Sequence, residues 1–205
     1  MKTVFVLSAS VALFGALGVQ AQVSSGSMVA PGTEAPQFTL TDAEGKSRSL
    51  KEFKGKYVVL EWSNKDCPYV VRHYRSGNMQ VTQKRATDMG AVWLTIISSA
   101  PGKQGYLTGP EAKEHYSSIG SLAAACLLDP EGKVGRAYGA RTTPQIVVID
   151  PKGTVVYHGA IDDRPNPRGE GGPAKNFALL ALEESKAGRA VTTPTSRPYG
   201  CNVKY

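Results

Sequence analysis

Cysteine is scarce in this chain: three residues in 205, at positions 67, 126 and 201, too few and too dispersed for a disulfide scaffold. No two of them form a Cys-x-x-Cys pair. Histidine is equally sparse, and His73, His115 and His158 share no zinc or copper spacing with the cysteines, so no metal and no other cofactor is expected. No phosphate-binding glycine loop, Ser-His-Asp order or paired-carboxylate site stands out, and no internal repeat is present. Charge of neither sign is blocked. The 24 Lys+Arg against 17 Asp+Glu leave +7, spread along the chain without a basic run or interleaved aromatics. That distribution favours solubility over nucleic-acid binding. No apolar stretch reaches the ~20 residues of a comfortable membrane span. With 41% hydrophobic and 20% charged residues, what remains is an ordinary globular domain with extensions.

The N-terminus reads as an export signal. Lys2 supplies the positive start, Val4 to Gly18 form an apolar run broken only by Ser8 and Ser10, and Val19-Gln20-Ala21 offers small residues for cleavage after Ala21. The expected division is a signal peptide over 1–21, a flexible leader over 22–32, a domain over 33–187 and a mobile, Gly-containing tail over 188–205. The expected location is the periplasm or the exterior, where disulfides persist, with no stable membrane insertion after cleavage.

Within the domain the pattern predicts a short strand over Ala35–Leu40, a buried strand over Tyr57–Trp62 and one helix from Pro68 to about Asp88, stopped by Gly90. A second buried strand covers Ala91–Ile97, a helix Pro110–Ile119 and a third strand Ala124–Leu128. One or two helical turns follow at Val134–Tyr138. A hairpin then runs through Gln145–Asp150 and Thr154–Ala160 around Pro151-Lys152-Gly153, and a closing helix spans Ala174–Lys186. Strands alternating with helices and then a hairpin describe an α/β sandwich whose hairpin closes one edge.

The informative stretch is Glu61-Trp62-Ser63-Asn64-Lys65-Asp66-Cys67-Pro68-Tyr69-Val70. Cys67 sits in the strand-to-helix loop, directly before a proline suited to the first helical position. A thiol there meets the positive end of the helix dipole and free backbone N–H groups, which favour the thiolate that attacks disulfides and peroxides. Cys126, in Ala123-Ala124-Ala125-Cys126-Leu127-Leu128, reads instead as a small buried hydrophobe. Asp162 and Asp163 open a polar loop running to Pro173, where they cap a turn or line a pocket.

The Glu61–Val70 segment around Cys67 resembles the active-site loop of the thioredoxin-like superfamily. More narrowly, the chain is similar to exported bacterial redoxin-domain proteins of the peroxiredoxin-like group. The matching elements are Ala35-Pro36-Gln37-Phe38, Asp66-Cys67-Pro68-Tyr69-Val70, Tyr138-Gly139-Ala140 with Thr142-Thr143-Pro144, Ile161-Asp162-Asp163, and the terminal Tyr199-Gly200-Cys201-Asn202-Val203-Lys204-Tyr205. The resemblance implies a thioredoxin-like sandwich, a central mixed sheet flanked by helices. It implies that Glu61, six residues before Cys67, handles the thiol proton. It also implies that Thr143-Pro144 is a cis-proline loop opposite the cysteine, and that Thr143, Pro144 and Pro68 line the substrate groove.

Val70 stands where a thioredoxin has its second cysteine, and Asn64 where a peroxiredoxin has its Thr or Ser. Cys201 is therefore the candidate resolving thiol, although a permanent Cys67–Cys201 bridge, a bridge to a second chain and a plain tail thiol remain open. The expected function is an exported thiol-disulfide oxidoreductase using Cys67. The alternatives are a thiol peroxidase using the same residue and a non-catalytic binding module. The expected partners are protein or small-molecule disulfides, or peroxides.

Overall fold

The computed structural model describes residue 1, residues 27–166 and residues 174–205. Residues 2–21 of the proposed signal peptide, residues 22–26 of the leader and residues 167–173 of the polar loop lie outside the described residues. Seven strands form the central sheet: β1 (Thr39–Asp42), β2 (Ser47–Ser49), β3 (Val58–Trp62), β4 (Val92–Ile97), β5 (Ala125–Leu128), β7 (Gln145–Ile149) and β8 (Val155–Gly159), in the order β2-β1-β5-β4-β3-β7-β8. The trio β3, β4 and β5 is parallel, whereas β1, β7 and β8 join antiparallel. Two further strands, β6 (Thr142–Thr143) and β9 (Cys201–Asn202), pair with each other. The helices are α1 (Pro68–Arg75), α2 (Asn78–Asp88), α3 (Gly109–Ser118), α4 (Lys133–Tyr138) and α5 (Phe177–Lys186). The expected mixed sheet flanked by helices is the observed one.

The pleat explains why β3 and β4 read as continuous apolar runs, since a sheet covered on both faces buries every residue. On one face Val59, Trp93, Ile97, Ile146 and Val148 pack against Val70, Tyr74, Met79 and Ala86 of α1 and α2 and against Leu179 and Leu182 of α5. On the other, Val58, Leu60, Trp62, Leu94, Ile96 and Val147 meet Phe38, Leu50, Phe53, Val134 and Tyr138. Alternation places Glu61, and Thr95 paired with it across β3 and β4, on the first face, beneath the helix that Cys67 opens.

Three local expectations are corrected, and one element is added. The single helix from Pro68 is two, because Gly77 adopts φ +76°, a left-handed conformation that ends α1 and caps α2. The first strand begins only at Thr39, after the Pro36 region. A third residue run, Ser47–Ser49, adds the edge strand β2 and leads into a 3-10 turn, Leu50–Phe53, held by a Ser49/Glu52 capping box. Finally, the tail is docked along its length: Ser196 Oγ bonds Tyr157 Oη at 2.6 Å, Val203 N donates to Arg141 O, and Tyr205 Oη donates to Ala140 O.

Candidate active site

Three chain-distant segments build the site. Cys67 is the N-cap of α1, with Pro68 at the first helical position. Its loop is fixed from the side by the 100–107 segment: Asn64 Nδ2 donates to Gln104 O, and Gly105 N donates to Asp66 Oδ2. The Thr143-Pro144 peptide is cis, and the Cys67 thiol, wholly buried, donates to Thr143 O at 3.0 Å. Antiparallel to Thr143 runs β9, with Cys201 as the residue directly opposite it.

Cys67 and Cys201 are thus neighbours, both unbridged, and close enough for each sulfur to shift the other's titration. Burial pushes the Cys67 thiol up, but hydrogen bonds involving the Thr143 side chain, the Val70 N–H and Cys201 outweigh it and leave the group below the ordinary thiol value. The carbonyl of Thr143, in contrast, accepts from the thiol and so favours its protonated form. Cys201 is pushed up to about 11 by burial and by the Cys67 sulfur beside it. Cys67 is therefore the more acidic of the two thiols, an asymmetry that suits an attacking and a resolving pair.

Glu61 is placed elsewhere. Fully buried, it accepts from Trp93 Nε1 at 2.9 Å and from Thr95 Oγ1 at 3.2 Å, with longer bonds from Tyr74 Oη and Gln83 Nε2. Burial raises its pKa, and the donors offset only part of that rise. None of its hydrogen-bond partners among the described residues is Cys67. Cys126, expected to be buried, is only half-buried, because β5 leaves it at the edge of the core; its thiol is still pushed far above the ordinary value, first by burial and then by the charge of Glu61. Among the described residues no group of three His, Cys, Asp or Glu side chains is arranged to hold a metal.

Sequence reasoning missed the residues that place the tail. Asp162, which the sequence leaves as a turn cap or a pocket residue, does cap a turn, since Arg164 N donates to it. It also accepts from Tyr199 Oη, two residues before Cys201, and from Asn78 Nδ2. His73 and Arg72 of α1 complete the cluster around the Tyr199 hydroxyl, at 3.0 and 3.2 Å. The terminal Tyr199-Gly200-Cys201 motif was the available signal.

A mixed sheet flanked by helices, a cysteine capping a helix and a cis-proline loop opposite it define a thioredoxin-fold redox protein. A solved thioredoxin domain of a thiol-disulfide oxidoreductase from Bacteroides vulgatus shares the fold at 24% identity, with a TM-score of 0.51 over 63% of this chain and 88% of that one. A hypothetical protein from Sinorhizobium meliloti superimposes more extensively, with a TM-score of 0.76 and 26% identity over 88% of this chain and 97% of that one. The chain belongs to the AhpC/TSA family, which it matches over residues 31–158. It is 31% identical over 129 residues to the thiol-disulfide oxidoreductase ResA of Bacillus cereus, a match covering 56% of this chain and 73% of that protein.

Proposed function

We propose that the protein is an exported thiol-disulfide oxidoreductase in which Cys67 attacks and Cys201 resolves. The observation that carries this reading is the β6–β9 pairing, which sets Cys201 opposite Thr143 and beside Cys67. The Cys67 thiolate attacks one sulfur of a substrate disulfide. A Cys67–substrate disulfide forms, the substrate S–S bond breaks, and the departing thiolate takes a proton from solvent. Cys201 then loses its proton and attacks the Cys67 sulfur, releasing the second substrate thiol. The substrate gains two electrons, the Cys67–Cys201 pair becomes a disulfide, and an external dithiol resets it. The reverse sequence oxidises a dithiol by the same steps. Thr143 and Pro144, with Pro68, shape the groove in which the sulfurs meet. Glu61, whose partners Trp93, Thr95, Tyr74 and Gln83 do not include Cys67, is a buried proton-holding group beneath α1 and takes no direct part in these steps. The positive start, the apolar run over Val4 to Gly18 and the small residues before Gln22 support action outside the cytoplasm.

The test is turnover of a disulfide substrate by single variants. Cys67→Ser is expected to abolish it, and Cys201→Ser to stop at a Cys67 mixed disulfide visible by mass spectrometry. Full activity of Cys67→Ser refutes the reading. Membership of the AhpC/TSA family supports a second reading: Cys67 takes an oxygen from a peroxide to become a sulfenic acid, and Cys201 displaces water to form the disulfide. Peroxide consumption driven by a dithiol distinguishes it.

A further inference from the structure

Asp162 is 3% and His73 2% exposed, yet neither touches a cysteine. Burying a carboxylate is costly unless donors surround it. Here Tyr199 Oη and Arg164 N donate to one oxygen, and Asn78 Nδ2 donates to the other at 3.2 Å. The Tyr199 hydroxyl meets His73 Nε2 at 3.0 Å and accepts from Arg72, whose guanidinium also lies 5.8 Å from the centre of the Tyr199 ring. The Tyr69 ring, from the first turn of α1, packs against it at 5.9 Å. Helix α1 and the Asp162 loop thus converge on one side chain of the tail, and Asn78 of α2 braces them through His73 and Asp162. Gly200 then lies so close to the groove that a Cβ there would sit 2.0 Å from Thr143 O, and Cys201 follows. Downstream the tail is tied again, by Val203 to Arg141 and by Lys204 O to Ala100 N. Cys201 is the middle of a short span fixed at both ends. Beside the upstream anchor lies a cavity of about 630 Å³, bordered by Pro165, Phe177, Arg197 and Pro198.

We propose that Tyr199, gripped by Asp162, His73 and Arg72, is a positioning residue that holds Cys201 in line with the Cys67 sulfur and thereby sets the rate of the resolving step. This rests on the reading of Cys67 and Cys201 as a redox pair. Neither Tyr199 nor Asp162 touches the reacting sulfurs. They act through the two-residue link to Cys201.

The experiment uses the full chain, reduced, with dithiobis(nitrobenzoate) as the disulfide. Attack by Cys67 forms a Cys67–aryl disulfide and releases one coloured aryl thiolate, at a rate proportional to probe concentration. Attack by Cys201 on that mixed disulfide releases the second aryl thiolate at a rate independent of probe, leaving a Cys67–Cys201 disulfide. Per turnover the probe gains two electrons, the dithiol loses two, and two protons pass to solvent. Tyr199→Phe removes only the hydroxyl, whose bond to a buried charge corresponds to a change of about tenfold or more. Tyr199→Phe and Asp162→Asn are each expected to slow the second phase at least tenfold while the first phase is unchanged or faster. A general loss of folding slows or scrambles both phases, so the split separates positioning from structure. A second phase unchanged in both variants overturns the proposal and leaves the redox pair standing. A second phase that persists in Cys201→Ser overturns the redox pair itself, and the positioning role with it.

Discussion

Replacing Gly200 with alanine perturbs the docked tail at a single atom. Gly200 has φ +134°, and a Cβ built there lies 2.0 Å from Thr143 O and 2.7 Å from its carbonyl carbon, both backbone atoms that cannot rotate away. The conformation alone costs an L-residue ~1–2 kcal/mol. The steric conflict is relieved only by parting β9 from β6, which forfeits about two backbone hydrogen bonds at ~1 kcal/mol each. The closed tail is thus destabilised by ~3 kcal/mol, equivalent to a shift of roughly two orders of magnitude in its opening equilibrium. Cys67, wholly buried under the closed tail, is the reporter. Its alkylation by a small maleimide, followed by peptide mass spectrometry, is expected to accelerate about a hundredfold. Gly153→Ala is the matched control: it has φ +89° but nothing within 4 Å, so it carries the conformational cost without the collision. It should leave Cys67 protected. Equal protection of Cys67 in Gly200→Ala and wild type, with both folded, refutes the claim that β9 shields the site.

Other consequences concern burial and backbone. Because burial raises Glu61, the folded state holds its proton more tightly than the unfolded chain, and stability from this group is lost as pH rises above the ordinary carboxyl range. Glu61→Gln should therefore gain stability relative to wild type between pH 4 and pH 8 in paired denaturant titrations, and a parallel pH dependence would contradict this. His73 behaves oppositely. Burial, opposed only by Asp162, holds it down to about 4. The unfolded chain then binds the extra proton, and up to ~3 kcal/mol disappears as pH falls from about 6.5 to 4. His73→Gln should flatten that acid limb of the stability profile. Gly77→Ala, at φ +76° between α1 and α2, should cost ~1 kcal/mol and lower Tm by about 2–4 °C, measured by calorimetry. Cys126, with its thiol pushed far up by burial, should resist alkylation in the native protein, and equally in Gly200→Ala.

What the sequence reveals of this molecule is its local chemistry. Asp66-Cys67-Pro68 announces a helix N-terminus within three residues, and the apolar runs of β3 and β4 announce strands covered on both faces. The fold class follows from the order of such elements, and the opposition of Cys67 to the Thr143-Pro144 loop follows from the resemblance. The break at Gly77 escapes notice because apolar residues at helical spacing continue through it: Val70 and Tyr74 on one side, Met79 and Ala86 on the other, all reach the same core. The docking of the tail is invisible for another reason. Its anchors, the side chains of Ser196, Tyr199 and Tyr205 and the backbone N–H of Val203, are single groups without periodicity, and each meets a partner tens of residues away. Asp162 illustrates the limit. Its turn-capping bond to Arg164 is local and legible, whereas its bond to Tyr199 spans 37 positions and exists only after the sheet has formed.

The placement of Cys126 bears on how the protein matures. In an unfolded chain Cys67 is 59 positions from Cys126 but 134 from Cys201. Loop closure then favours encounter with Cys126 by ~0.7 kcal/mol, or about threefold. An oxidising compartment would therefore bring Cys67 to Cys126 more often than to Cys201 in any chain still searching for its fold. In the folded chain Cys126 is half-buried in β5, opposite Thr95 of β4, with its thiol pushed far up, while β9 sets Cys201 opposite Thr143. Forming the parallel core before oxidation would thus favour the Cys67–Cys201 encounter over the one that chain length alone prefers.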